Sequence, residues 1–247
     1  MKINIGPRRV IPLCVAAVKY PGFLEILKKG RIPGTMHLEE NIQPTKFFIR
    51  TGLEASNLGS YEKELFDRIG DTPASLNDIF WETQKTLSPG LLDSLLRKRL
   101  IQAIGFTPTD ALHVLGEYRG WNTEASIAGA KLLERYTHKD YIELCKSIKK
   151  DVARNMALNL MSFVLKDVPS QEIEKIIVSD RFAQFKMKIP VVLIGGPVVA
   201  YTEELNRILD ADIIVPDFSD VGNAGGAVVG KGIERVCNSD LIRFSVE

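Results

Sequence analysis

Over roughly the first three quarters of the chain, apolar residues recur mainly at helical spacing; beyond about residue 189 they gather into short continuous runs. Leu13, Ala16, Ala17 and Tyr20 predict a helix that Pro21-Gly22 interrupts, and residues 23–29 predict a second short one. Residues 30–45 are rich in Gly, Pro and polar side chains and predict a loop, and residues 46–50 predict a strand. Leu65, Phe66 and Ile69 form one helix face closed by Gly70. Ser75 and Asp78 form a capping box for the next helix, and Leu91, Leu92, Leu95 and Leu96 mark a third. A strand over 100–104 follows, so residues 60–105 have the layout of a winged-helix module.

Thr107, Pro108 and Asp110 start another helix, as cap, first helical residue and N-terminal acid, and Gly116 ends it. Asn122 or Thr123 caps a helix whose Ala125, Ala128, Gly129 and Ala130 invite close packing. A long helix carries Tyr141, Leu144, Cys145, Ile148, Val152, Met156, Leu160 and Val164 at helical spacing, and one more covers about 171–178. Residues 189–194 are continuously apolar and predict a buried strand. Gly195-Gly196-Pro197, a helix over 203–209, a strand over 212–216 and a small-residue helix from Val221 then give an α/β pattern. The opening Ile3-Asn4-Ile5, followed at once by Gly6-Pro7, has the look of a chain entered part-way through a fold.

Composition narrows the class. Of 247 residues, 45% are hydrophobic and 26% charged, which excludes disordered and coiled-coil chains. Lys and Arg number 32 against 31 acids, so there is no global field to hold nucleic acid or an anionic membrane. Cys14, Cys145 and Cys237 form no metal or disulfide spacing. Signal-peptide and membrane-span patterns are absent from the sequence, and a cytoplasmic location is expected.

Candidate chemistry falls in three places. Glycines at Gly195 and Gly196 after a buried strand allow close backbone approach by a ligand, or form a plain strand-to-helix turn. Asn223-Ala224-Gly225-Gly226-Ala227 opens the last helix, either as a packing surface or as the second wall of a cleft. Asp110 and His113 share a helix face, where they suit metal binding or acid–base catalysis, or else a cap and a structural imidazole. Arg97-Lys98-Arg99 is the compact basic run, set at a helix end whose dipole it suits.

Five strings together resemble one family: residues 6–13 (Gly-Pro-Arg-Arg-Val-Ile-Pro-Leu), residues 105–116 (Gly-Phe-Thr-Pro-Thr-Asp-Ala-Leu-His-Val-Leu-Gly), Trp121 with its small-residue helix, residues 194–197, and residues 223–227. Their order and spacing are similar to the later part of the catalytic chain in the hydantoinase/oxoprolinase family, which includes N-methylhydantoinase A, 5-oxoprolinase and the acetone carboxylase β subunit. The resemblance implies an α/β chain forming a portion of an actin/hexokinase/Hsp70-like ATPase fold, with a large helical part and the winged-helix-like segment. Residues 1–59 would join the α/β core, 60–105 form the winged-helix-like module, 106–188 a helical region, and 189–247 an α/β layer on the nucleotide side. It implies ATP and a divalent metal as cofactors and a small cyclic amide or carbonyl substrate. Gly195, Gly196, Pro197, Asn223, Gly225 and Gly226 would lie on the nucleotide, and Asp110 and His113 would serve as catalytic residues and metal ligands. The family's two phosphate loops, of Asp-Gly-Gly-Thr and Gly-Gly-Thr type, do not occur in the sequence. A missing N-terminal half or companion subunit is therefore expected, with little activity from the chain alone and with homo-oligomers possible. Neither nucleic acid nor membrane is an expected partner. The alternative is a winged-helix regulatory module fused to an α/β ligand-sensing domain.

Overall fold

The computed structural model describes residues 10–32, 43–83, 89–178 and 185–222. The strings at 6–9 and 223–227, with His37 and Cys237, lie outside the described residues. The fold is mixed α/β, and the chain divides into two compact units, residues 1–156 and 157–247.

The first unit is built on a three-stranded sheet, ordered β1 (Val10–Pro12), β3 (Ile101–Gly105), β2 (Phe47–Arg50). β1 runs parallel to β3 with Val10 opposite Ala103, and β2 runs antiparallel with Phe47 opposite Ile104. Alternation along the strands sends successive side chains to opposite faces. Phe47, Ile49, Ile104 and Ile11 therefore enter one core, and Phe48, Ile101 and Ala103 enter another.

The first core is covered by α1 (Leu13–Lys19), α2 (Phe23–Lys28), α6 (Pro108–Leu115) and α7 (Thr123–Thr137). Phe23 and Phe47 meet there edge to face at 5.1 Å, an arrangement worth about 1 kcal/mol beyond the area it buries. α7 comes close to α1 because Gly129 has no side chain: a Cβ there would run into Leu13 Cδ1, which is fully buried and has little room to yield. Leu144, Cys145 and Ile148, from the first turns of α8 (Tyr141–Val164), complete this core.

The second core lies under α3 (Ser60–Arg68), α4 (Leu76–Thr83) and α5 (Pro89–Arg97). The helix order expected over 60–105 is present, and Ser75 Oγ accepts from the Asp78 amide at 3.0 Å as a cap. The segment is not closed on itself, however. It takes Phe48 from outside, and its strand β3 is the middle strand of the sheet, because a residue run buried on both faces needs a neighbour on each edge.

The second unit holds the end of α8, then α9 (Ser170–Val178), with Ile173 and Ile177 buried. Short parallel pairs follow: β4 (Phe185–Lys186) with β6 (Leu209–Asp210), and β5 (Val191–Val192) with β7 (Ile213–Ile214). A 3-10 turn (Val198–Tyr201) and α10 (Thr202–Ile208) follow β5 and lead into β6, so these helical turns lie between the partners of both parallel pairs. The buried strand expected over 189–194 is shorter and one-sided. Val191 and Leu193 are buried, while Ile189, Val192 and Ile194 are 63%, 51% and 48% exposed. Two side-chain directions alternate along any strand, and only one of them meets a cover here.

Candidate functional site

α6 owes its position to its own first turn. Pro108 occupies the first helical place, where its missing amide costs nothing, and the chain leaves at Gly116 in the left-handed region. Asp110, third in the helix, turns back on the cap: its Oδ2 accepts from the Thr107 amide and the Thr107 hydroxyl, both at 2.9 Å. The same oxygen accepts from the Leu13 amide at 3.2 Å. Oδ1 accepts from the Cys14 amide at 2.9 Å and from the Ser126 hydroxyl at 2.8 Å.

One fully buried carboxylate thus receives five hydrogen bonds from three elements. All five partners donate, which matches an acceptor-only group. Two of them are the first amides of α1, whose preceding residue, Pro12, supplies no side-chain cap. Asp110 is therefore the cap of α1 as well as of α6, and it sits at the positive end of both helix dipoles.

His113 lies one turn on and is 1% exposed. Its Nε2 faces the Trp121 amide at 3.1 Å and its Nδ1 faces the Thr109 carbonyl at 2.8 Å. An amide N–H only donates, so Nε2 is the acceptor and Nδ1 carries the proton. Tyr118 packs edge-on against the ring at 5.1 Å. Nearby, the Asn122 amide donates to the Cys14 carbonyl at 3.4 Å and Asn122 Oδ1 caps α7 through the Ala125 amide at 2.9 Å. The Cys14 thiol, beside this cluster, is pushed up by burial and then by the charge of Asp110. Burial likewise lifts Cys145 to about 12.

The fold thus buries Asp110 and His113 one turn apart on α6, each with its own set of hydrogen-bond partners. A metal ion there would have to displace bonds already made: the single lone pair of Nε2 and both carboxylate oxygens are in use. Among the described residues no group of three or more His, Cys, Asp or Glu side chains is gathered in a way that could hold a metal. Sequence reading found the local cap but missed its reach to Leu13, Cys14 and Ser126. The available signal was a helix beginning after Ile11-Pro12, with no Ser, Thr, Asp or Asn to cap it.

In the second unit, Gly195 to Pro197 follows the carboxyl end of β5. Gly195 has φ +139°, a conformation that side chains other than hydrogen rarely adopt, and its amide donates to the Ser219 carbonyl at 2.7 Å. Space beside Gly196 is open, with no atom within 4 Å of where a Cβ would stand. A Cβ on Gly222 would run into Ile194 Cγ2, so the chain just before Asn223 lies against the start of this loop. The loop thus has backbone accessible from one side at Gly196.

Among the described residues no helix is long and apolar enough to cross a membrane. Comparison with protein-family models, curated proteins and solved structures finds no match to this chain.

Proposed function

We infer that this chain forms part of an ATP-dependent, hydantoinase/oxoprolinase-like cytoplasmic enzyme that acts on a small cyclic amide or carbonyl compound, within an actin/hexokinase/Hsp70-like framework. The observation that carries the reading is the meeting of three of the five resembling strings. Leu13, from the first, donates to Asp110 of the second, and Trp121, from the third, donates to His113. The first of these bonds is buried and spans 97 positions, the second joins neighbouring strings eight positions apart, and together they support a substructure shared by the three strings.

On this reading Asp110 and His113 are positioning residues: they fix α1, α6 and α7 in register and hold the backbone around Thr107 and Trp121. Gly195, Gly196 and Pro197 lie against the nucleotide, helped by Asn223, Gly225 and Gly226. ATP supplies activation of the carbonyl oxygen by phosphoryl transfer, chemistry that rests on positioning and charge stabilisation at the phosphates. The sequence holds neither phosphate-loop string, so a companion polypeptide brings them and any divalent metal they bind.

The test is ATP turnover by the chain alone and after mixing with the phosphate-loop half of a hydantoinase or oxoprolinase. The expected result is background phosphate release alone and ATP-dependent opening of hydantoin or 5-oxoproline by the mixture. Phosphate release by the isolated chain well above the enzyme-free control, and lost on Gly196→Trp, overturns the split. Binding to duplex DNA, with a salt slope reduced by neutralising Arg97 and Arg99, favours the winged-helix alternative instead. That alternative is the weaker one because Lys98, in the centre of the basic run, is engaged by Glu62 at 3.0 Å.

A further inference from the structure

A cleft of about 660 Å³ opens in the first unit beside the N-terminal end of β3. Lys46, Arg97, Arg99 and Gln102 line it, and among the described residues no carboxylate does. Leu53, Leu96 and Ile101 form an apolar wall. The volume is that of a small-molecule site, and such sites pair an apolar lining with a few placed polar groups.

The two arginines have no structural task that accounts for them. Cations at the end of a helix often serve its last carbonyls. Here the Leu95 and Leu96 carbonyls take the amides of Leu100 and Arg99, and the Arg99 and Leu100 carbonyls take the Thr51 hydroxyl. Among the described residues neither the Arg97 nor the Arg99 side chain has a hydrogen bond or ion pair, whereas Lys98 between them is bound to Glu62.

Arg99 also stands where a glycine is expected. Its φ is +59°, and the two amide bonds around it make the helix-ending motif that normally takes Gly at this place. A residue kept in a costly backbone conformation, with a guanidinium bordering a cavity, points from strain to use. We propose that this cleft binds a small organic anion, a phosphate ester or carboxylate attached to an apolar body, with Arg97 and Arg99 on the anion and the Leu53–Leu96 wall on the body. The site is independent of the Gly195 loop and of the reading given above.

The test is calorimetric titration of the full chain with 1-naphthyl phosphate, 1-naphthol and inorganic phosphate. Naphthyl phosphate binds saturably, and each of its two halves binds at least about tenfold more weakly, because charge-assisted hydrogen bonds and apolar contact are both needed. Arg97→Gln and Arg99→Gly each weaken binding about tenfold. Arg99→Gly does so without lowering the melting temperature, since glycine relieves the backbone, which separates lost binding from lost folding. Unchanged affinity in both variants overturns the site. So does tighter binding of short duplex DNA that displaces naphthyl phosphate, since the cleft would then be a nucleic-acid contact.

Discussion

Asp110 and Cys14 lie 96 positions apart in sequence and are joined by a 2.9 Å hydrogen bond from the Cys14 amide to the Asp110 carboxylate. Through that contact the carboxylate that closes the capping box of α6 also receives the first amides of α1. A carboxylate sealed from water is costly unless its charge is met, and the donors of Leu13, Cys14, Thr107 and Ser126 meet it.

The near-isosteric Asp110→Asn separates this role from a reactive one. The amide NH2 has to face either the Leu13 and Thr107 donors or the Cys14 and Ser126 donors. In the first case two buried amides point at another donor and in the second one does, because the Thr107 and Ser126 hydroxyls can turn to accept. The expected loss is about 3 kcal/mol or more of unfolding free energy in urea, with fraying of α1 in amide exchange. Unchanged stability contradicts the capping role.

Burial makes the two described thiols inert. Cys145 is raised to about 12 by desolvation and Cys14 is raised further, with the charge of Asp110 adding to burial. The thiolate is the reactive form, so almost none is present near neutral pH. In a Cys237→Ser background the native protein should not react with Ellman's reagent at pH 8, and both thiols should appear on unfolding in guanidinium. Rapid native labelling of either would show that the α1, α6, α7 core opens readily.

Glu62 is the carboxylate whose folded state most clearly depends on pH. The Ser94 hydroxyl, the Lys98 ammonium and the Gly59 amide lower it from the ordinary 4.5 to about 2. A lowered folded value stabilises the protein above the unfolded value, and that contribution is lost as pH falls through the folded one. Stability should therefore drop between about pH 4.5 and pH 2, and Glu62→Gln should make the drop shallower. Thermal melts of both proteins across that window measure the difference. A parallel pair of curves would show that Glu62 is not held.

How much of this was legible depends on the range of the interaction. α6 begins and ends where Pro108 and Gly116 place it, and α8 spans the periodic stretch from Tyr141 to Val164. These signals are local, made by residues within a turn of each other. β1 was not legible, because three residues ending in Pro12 carry no strand period and its partner β3 lies about 90 positions away. The reach of Asp110 to Leu13 was hidden for the same reason. The run at 189–194 misled in another way: uniform apolarity does not say whether one face or both are covered, and Val192 and Ile194 are exposed.

His113 allows the sharpest distinction between holding and reacting. Both ring nitrogens have partners, Thr109 at 2.8 Å and Trp121 at 3.1 Å, and Tyr118 closes one side of the ring. The Trp121 amide fixes the neutral tautomer with its proton on Nδ1, so long-range proton–nitrogen correlation should show that tautomer in the folded chain. His113→Ala leaves the part-buried Trp121 amide without this acceptor and opens a gap beside Tyr118. The expected cost is about 2–3 kcal/mol. The loss should be the same with and without a companion polypeptide, because the network lies wholly within this chain. A proton carrier behaves otherwise: the variant keeps its stability and loses turnover only in the reconstituted enzyme. Denaturant unfolding and ATP-dependent ring opening, measured on the same two proteins, decide between the roles.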